Sequence, residues 1–522
     1  MHEILTLQFG QQANYLGTHY WNTQESYFTY SGEDESPVDH DVSFRPGIGA
    51  DGAETYTPRT LLYDLKGAFG TLRRENALYT LQEQENPARQ SQWSGRTDSL
   101  QLPRIEPSPY QTALDAGMDP PTLSTESVRF WSDYNHVFYH PRTVVQLSEY
   151  ELNSSLMPFE QWQKGDELFA NLDREHDLLD RDLRPFLEEC DQLQGIQIFS
   201  GTDDAWGGFA SNYLERINDE LGKGSRWIFG LSNTQRVNRD RQALQLANIA
   251  QSLYSLGSSA SIHVPVQNVP SWLPTYASLD SASQWFTSAL QATAIESVTL
   301  PTRLKSTQSG RATFDTLETT LNGDGNRRIA AFSMSAKASS DQPVRVNGQG
   351  DGNHADARMA NGRSSDDHLD RSDEDNLDIE LFPHLSILSE RHNRARRTPH
   401  VFSRISSVRG EWMSASDENH MDTETRRSQA YGPRTSTHKA NLLFPLLTSY
   451  PPVLQFPGRP QKVAIQASLY TFSGISERLR NVAIFARRMP AIDEREALCD
   501  GLEAMADEYE EGWMSDSEED DD

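Results

Sequence analysis

The stretch MHEILTLQFGQQANYLG, residues 1–17, decides the fold. Leu5, Leu7 and Phe9 alternate with polar residues, the pattern of a strand with one buried face. Gly10-Gln11-Gln12-Ala13-Asn14 reads as a tight turn, and Tyr15 to Tyr27 as a helix with Leu16 and Trp21 inward. A strand feeding directly into a helix leaves backbone N–H groups and the positive end of the helix dipole at the turn. That arrangement favours anions.

Two later stretches extend the pattern. YTPRTLLYDLKGAFGTL, residues 56–72, gives Pro-Arg, an apolar strand and then Asp64. LEECDQLQGIQIFSGTDDAWGGFASNYLERINDEL, residues 187–221, gives Cys190-Asp191-x-Leu193-Gln194-Gly195, a buried strand, a glycine-containing loop and a helix. In this order the three stretches resemble tubulins. The resemblance implies that Gly10, Gln11, Gln12, Asn14, Asp64, Thr202, Gly207 and Gly208 are candidate nucleotide-binding residues.

The departures from the tubulin pattern concern the phosphates. Lys66 stands where the family has Glu. The family loop GGGTGSG, whose glycines let consecutive N–H groups approach phosphate, aligns here with Asp203-Asp204-Ala205-Trp206-Gly207-Gly208-Phe209. Two carboxylates replace glycines. Two unit charges 4 Å apart interact by roughly 4 kcal/mol at an effective dielectric near 20, which disfavours a triphosphate in the usual pose. FYHPRTVVQL, from Phe138, takes the place of a second phosphate loop, and no Asn-x-x-Asp-type activating loop is found. No catalytic residue is assigned, and the GTPase site reads as degenerate.

This combination resembles the Misato family of tubulin-like proteins, through Tyr139 to Arg142 and the loop Asp203 to Gly208. The resemblance implies a non-enzymatic protein of mitochondrial distribution and partitioning and of mitochondrial DNA inheritance. It would sit at the cytosolic face of the mitochondrion and in the cytoplasm. Its partners would be mitochondrial surface proteins, the cytoskeleton or the tubulin chaperone machinery. GTP or GDP is the one cofactor left open. Two other readings stand beside this one: a self-assembling GTP-binding GTPase, and an adaptor that binds tubulin or its chaperonin.

Composition narrows the classes further. The 522 residues carry a net charge of −29, against nucleic-acid binding through a basic surface. Two cysteines, Cys190 and Cys499, exclude a disulfide framework or a Cys-rich zinc site. No apolar run is long enough for a membrane span, and the N-terminus lacks the character of a mitochondrial presequence.

The fold expected is α/β, a tubulin/FtsZ-like nucleotide-binding-type core with a second small α+β unit and disordered insertions. Residues 1–83 form the N-terminal tubulin-like segment, 84–126 an inserted polar loop, and 127–335 the continued core. Residues 336–440 read as a largely disordered insertion, 441–500 as the C-terminal α+β segment, and 501–522 as an acidic disordered tail. Helices are expected over Gly165–Asp191 and Gln242–Leu256, the latter with Asn248 as a candidate base contact.

Other candidates carry bland readings beside the functional ones. Asp203 and Asp204 could hold Mg²⁺ or Ca²⁺, or be plain loop residues with Asp204 capping the turn. Arg391, Arg394, Arg396 and Arg397 form a basic cluster suited to anionic lipid, or are simply solvated. His136 and His140 are i and i+4, but Pro141 argues against a shared helical face. Ser515 and Ser517, each followed by an acid, resemble acidophilic-kinase sites.

Overall fold

A computed structural model describes residues 2–29, 35–48, 52, 54–73, 105–222, 224–233, 235, 237–338, 378–383, 399–412, 433–489, 492 and 494–510. The opening stretch forms β1 (Glu3–Phe9) and runs without a loop into α1 (Gly10–Glu25). There follow β2 (Phe44–Ile48), β3 (Glu54–Pro58), β4 (Thr60–Lys66), α2 (Pro109–Asp115), β5 (Val144–Glu151), α3 (Trp162–His176) and the short α4 (Arg184–Leu187). Then come β6 (Leu193–Gly201), α5 (Trp206–Leu221), β7 (Ser225–Ser232), α6 (Arg239–Ser259), β8 (Ile262–Gln267), α7 (Gln284–Thr299) and α8 (Phe314–Leu321). The last part holds β9 (Ala331–Ala338), β10 (Ile379–Glu380), β11 (Val401–Arg409), β12 (Arg434–Ala440), β13 (Phe444–Pro445), β14 (Lys462–Phe472), α9 (Gly474–Arg487) and α10 (Arg495–Asp507).

Six strands make a parallel sheet in the order β5-β4-β1-β6-β7-β8. β1 sits at its centre, buried on both faces as strands of parallel sheets are. Leu5, Leu7 and Phe9 pack toward α3 and α5, as the alternation predicts. The polar face is also buried, unlike the one-faced strand expected. Gln8 donates to Thr60 Oγ1 (3.1 Å), and Gln197 donates to Thr6 Oγ1 (2.8 Å). Polar residues are tolerated there because each finds a partner on the next strand.

A second sheet, β10-β9-β14-β11-β12 with β13 beside β14, is antiparallel except for the pair β11 and β12. Helix α7 lies between the sheets. From Thr287 to Thr299 every residue is buried, so the helix has no solvent face. It packs on α1 on one side and on β11 and β14 on the other. Its single carboxylate, Glu296, is fully buried and paired with Arg303 (3.1 Å) and with Arg409 of β11. Arg303 also donates to the Tyr20 hydroxyl, Arg409 to that of Tyr27, and Gln24 to Glu296. This cluster ties α1, α7 and the second sheet together.

Four expectations are corrected. Within the span expected as an inserted polar loop, 84–126, residues 105–126 return to the core. Ser108 caps α2 by accepting the Gln111 N–H, and the buried Tyr110 hydroxyl meets His136 and Thr448. Within 336–440, expected as largely disordered, β11 lies in the interior of the second sheet and β12 forms its edge. The expected acidic tail begins too early. Leu498, Leu502 and Ala506 bury one face of α10, and Tyr509 bonds both the N–H and the carbonyl of Ile329. The helix expected over Gly165–Asp191 ends at His176, where Asp177 takes a left-handed φ of 47°. The Arg391–Arg397 cluster, Ser515 and Ser517 lie outside the described residues.

Candidate functional site

The carboxyl ends of parallel strands are where α/β sheets gather their ligands. A cavity of about 500 Å³ opens there, bordered by α1, the segment after β5, the loop between β6 and α5, and the start of α6. A second space of about 490 Å³ adjoins it across Gln12, Tyr15, Asn233 and Gln284.

Of the residues predicted to face nucleotide, Gln11 and Gln12 line this cleft, while Asn14 and Asp64 are buried and bonded to each other. Asp64 Oδ2 accepts from Gln11 (2.9 Å) and Asn14 (2.7 Å), while Oδ1 accepts the Leu65 N–H (2.9 Å). Gln11 also donates to the Ala68 carbonyl (2.9 Å). Burial lifts the Asp64 carboxyl to about 7, against the pull of those donors. Gln12 donates to Asp203 Oδ1 (3.2 Å), and the Asn233 N–H and Gln245 supply Oδ2. Burial raises Asp203 to about 6. Asp204 is held well above the usual carboxylate range, by burial first and the Asp203 charge second. Its Oδ1 accepts the Trp206 N–H (2.9 Å), so it does cap the first turn of α5.

The glycines of the altered loop serve packing. A Cβ on Gly207 would overlap Ser252 of α6, and one on Gly208 would overlap the Trp162 carbonyl of α3. Reciprocally, a Cβ on Gly165 would strike the Ala205 carbonyl. Three helices meet here at backbone distance. Gly10, at φ +84°, lies under the Trp206 indole. Thr202 is buried, with its hydroxyl on the Leu231 carbonyl and its own carbonyl taken by Ser252. Asn248 is likewise spent: its amide donates to Glu160 and Asp203 carbonyls and its oxygen accepts the Trp162 N–H. It fastens the cleft wall and is not free to contact a base.

The segment taken to replace the second phosphate loop is also corrected. Phe138 to Thr143 precede β5, whereas the cleft is lined by its last residue, Glu151, and by residues after it, Leu152 to Ser154 and Pro158 to Glu160. Among the described residues, no group of three or more His, Cys, Asp or Glu is placed to hold a metal.

Comparison with known proteins agrees with this architecture. Residues 2–116 match the Misato Segment II tubulin-like domain, and residues 120–304 match the Tubulin domain. Protein DML1 of Phaeosphaeria nodorum is 45% identical over the whole of both chains. Protein dml-1 of Neurospora crassa is also 45% identical over the whole of both chains. The chain belongs to the Misato family. Protein dml1 of Schizosaccharomyces pombe is 33% identical across 65% of this chain and 73% of its own.

In this Misato-family protein, the cleft residues that sequence reasoning missed include Phe130, Phe159, Glu160, Asn233 and Gln245. None belongs to a motif. The signal available was positional: Phe159, Glu160 and Asn233 follow the carboxyl ends of β5 and β7. The cleft's two arginines are engaged, Arg129 with Asp133 (3.0 Å) and Arg241 with Glu160 (2.9 Å). No salt bridge among the described residues reaches Asp203 or Asp204.

Proposed function

We propose that this Misato-family protein is a tubulin-fold scaffold retired from GTP chemistry, acting in mitochondrial distribution and partitioning and in inheritance of mitochondrial DNA. The observation that carries the non-enzymatic half is the Trp206 indole over Gly10, with Asp203 and Asp204 beside it. A triphosphate laid along that turn would meet an aromatic ring and two carboxylates where it needs open backbone N–H groups.

Family membership supports the mitochondrial half. It acts at the cytosolic face of the organelle and in the cytoplasm, through mitochondrial surface proteins, the cytoskeleton or the tubulin chaperone machinery. With a net charge of −29, its effect on mitochondrial DNA runs through organelle partitioning and not through DNA contact. Among the described residues no helix is long and apolar enough to cross a membrane, which suits peripheral attachment.

Two experiments test the proposal. The first measures nucleotide content and GTP affinity of the purified protein beside Asp203→Gly/Asp204→Gly. Wild type is expected free of nucleotide; stoichiometric GTP or GDP would overturn the reading and favour the polymerising GTPase. The second depletes the protein in cells and counts mitochondrial DNA copies and organelle distribution between daughters. Unchanged counts and partitioning, with tubulin or its chaperonin co-purifying, would favour the adaptor.

A further inference from the structure

We infer that the cleft takes an uncharged, polyhydroxylated ring compound, a sugar or a cyclitol, whose hydroxyl groups meet the amide of Gln291. The inference rests on the reading of a site that excludes triphosphate. An unbonded side chain carries it, and the charge and shape of the wall narrow the ligand.

Gln291 lies on α7, is 3% exposed, and borders the second cavity of about 490 Å³. Its amide nitrogen is buried without a hydrogen-bond partner, and its amide oxygen makes no bond among the described residues. Buried polar groups are nearly always paired, because an unpaired one is costly to keep. Three other amides of this wall are spent: Asn268 donates to Asn233 (2.9 Å), Gln12 to Asp203, and Gln235 to the Ser281 carbonyl. A hydroxyl group both donates and accepts, so it answers an amide that offers one of each.

The charges around the cleft select against ions of either sign. Asp203 already takes Gln12, Gln245 and the Asn233 N–H, and Asp204 takes the Trp206 N–H. A cation therefore finds neither of them wholly free. An anion would meet the same carboxyls, with Glu151 and Asp280 beside them. Arg129 and Arg241 offer it little, since Asp133 and Glu160 hold them. The ligand that fits is uncharged.

The ring follows from the aromatic wall. Tyr15 borders both cavities, and Phe130, Phe159 and Trp206 border the first. The C–H groups on the face of a sugar or cyclitol are weakly positive and rest on aromatic faces. The Trp206 indole N–H makes no hydrogen bond among the described residues, so it offers a ligand hydroxyl a second donor. Water could serve either donor, yet it gains nothing from the aromatic faces. Each cavity is of small-molecule size.

The same chemistry arrives as a free cyclitol or monosaccharide, or as the end of an oligosaccharide. The probes are therefore myo-inositol, glucose and maltotriose. Ligand-observed NMR on the full chain titrates each, with guanosine as control. Wild type is expected to bind at least one of the three. Gln291→Met keeps the length of the side chain and removes the amide, and is expected to weaken that binding about tenfold or more.

The same variant is expected to hold or raise the urea midpoint, because the amide it removes is unbonded. A lower midpoint would mean that the amide is already bonded in the free protein, and the inference would fall. Gln284→Ala, at the exposed rim of both cavities, is expected to weaken binding about threefold and gives a second reading on the surface. Equal affinity in wild type and both variants would place the binding elsewhere and overturn the inference. So would binding of none of the three probes, or of guanosine in their place. If wild type instead carries stoichiometric guanine nucleotide, the non-GTP reading fails too; without nucleotide, only this inference falls.

Discussion

The indole of Trp206 fills the space that any side chain on Gly10 would need. One residue is the hinge between β1 and α1, and the other is the first residue of α5. The altered loop therefore closes directly onto the turn that tubulin-like folds use for phosphate.

Gly10→Ala is consequently expected to destabilise the protein by about 2–4 kcal/mol, from a left-handed φ of +84° and the overlap with the ring. Trp206→Ala should relieve the overlap, so the double variant should lose less than the sum of the single losses. Urea midpoints decide it. Strict additivity would mean that the two residues do not press on each other.

Gly208→Ala tests whether the remaining glycines serve packing or phosphate. Its Cβ would meet the backbone carbonyl of Trp162, which cannot swing aside as a side chain can. A loss of about 2–3 kcal/mol is expected. Unchanged stability would remove the packing explanation for this glycine.

The buried cluster on α7 gives a third expectation. Glu296→Gln leaves Arg303 and Arg409 without a counter-charge in the interior, and breaking such a pair costs about 3–5 kcal/mol. Chemical denaturation of the variant measures it. A loss below about 1 kcal/mol would show that the guanidinium groups behave as if solvated.

Asp64 makes stability depend on pH in a stated direction. Its folded-state pKa of about 7 lies above the value near 4 of an unfolded carboxyl. Between those limits the folded state holds the extra proton. Its contribution is therefore fully present below about pH 4 and is lost as pH rises through 7, by at most about 4 kcal/mol. Asp64→Asn cannot titrate, so its stability relative to wild type should rise from pH 4.5 to pH 8. A gap that stays constant with pH would refute the assignment.

The central strands and their helices were legible because Leu5, Leu7, Phe9 and the Trp227-Ile228-Phe229 run advertise burial. β12, RTSTHKA, was not, because an edge strand with alternating exposed residues looks like any polar segment. β11 hid for the opposite reason: Ser403, Ser406, Ser407 and Arg409 are buried polar residues, and Ser403 and Ser406 bond across to Thr471 and Ser468 of β14. The structure brings Gln11, Asn14 and Asp64 to one place. That both amides donate to Asp64 depends on orientation, which spacing along a chain does not encode. The packing role of Gly207 and Gly208 was likewise invisible, since it is set by helices more than forty residues away in one direction and nearly as many in the other.

The mutual bonding of Gln11, Asn14 and Asp64 bears on how such a protein lives in a cell. A fold completed by a bound nucleotide gains stability in proportion to the logarithm of that nucleotide's concentration. Here the amides of the protein itself occupy the Asp64 carboxylate. Under the proposed retirement from GTP chemistry, its supply of folded molecules would be set by synthesis and turnover, and starvation that drains the guanine nucleotide pool would leave it standing.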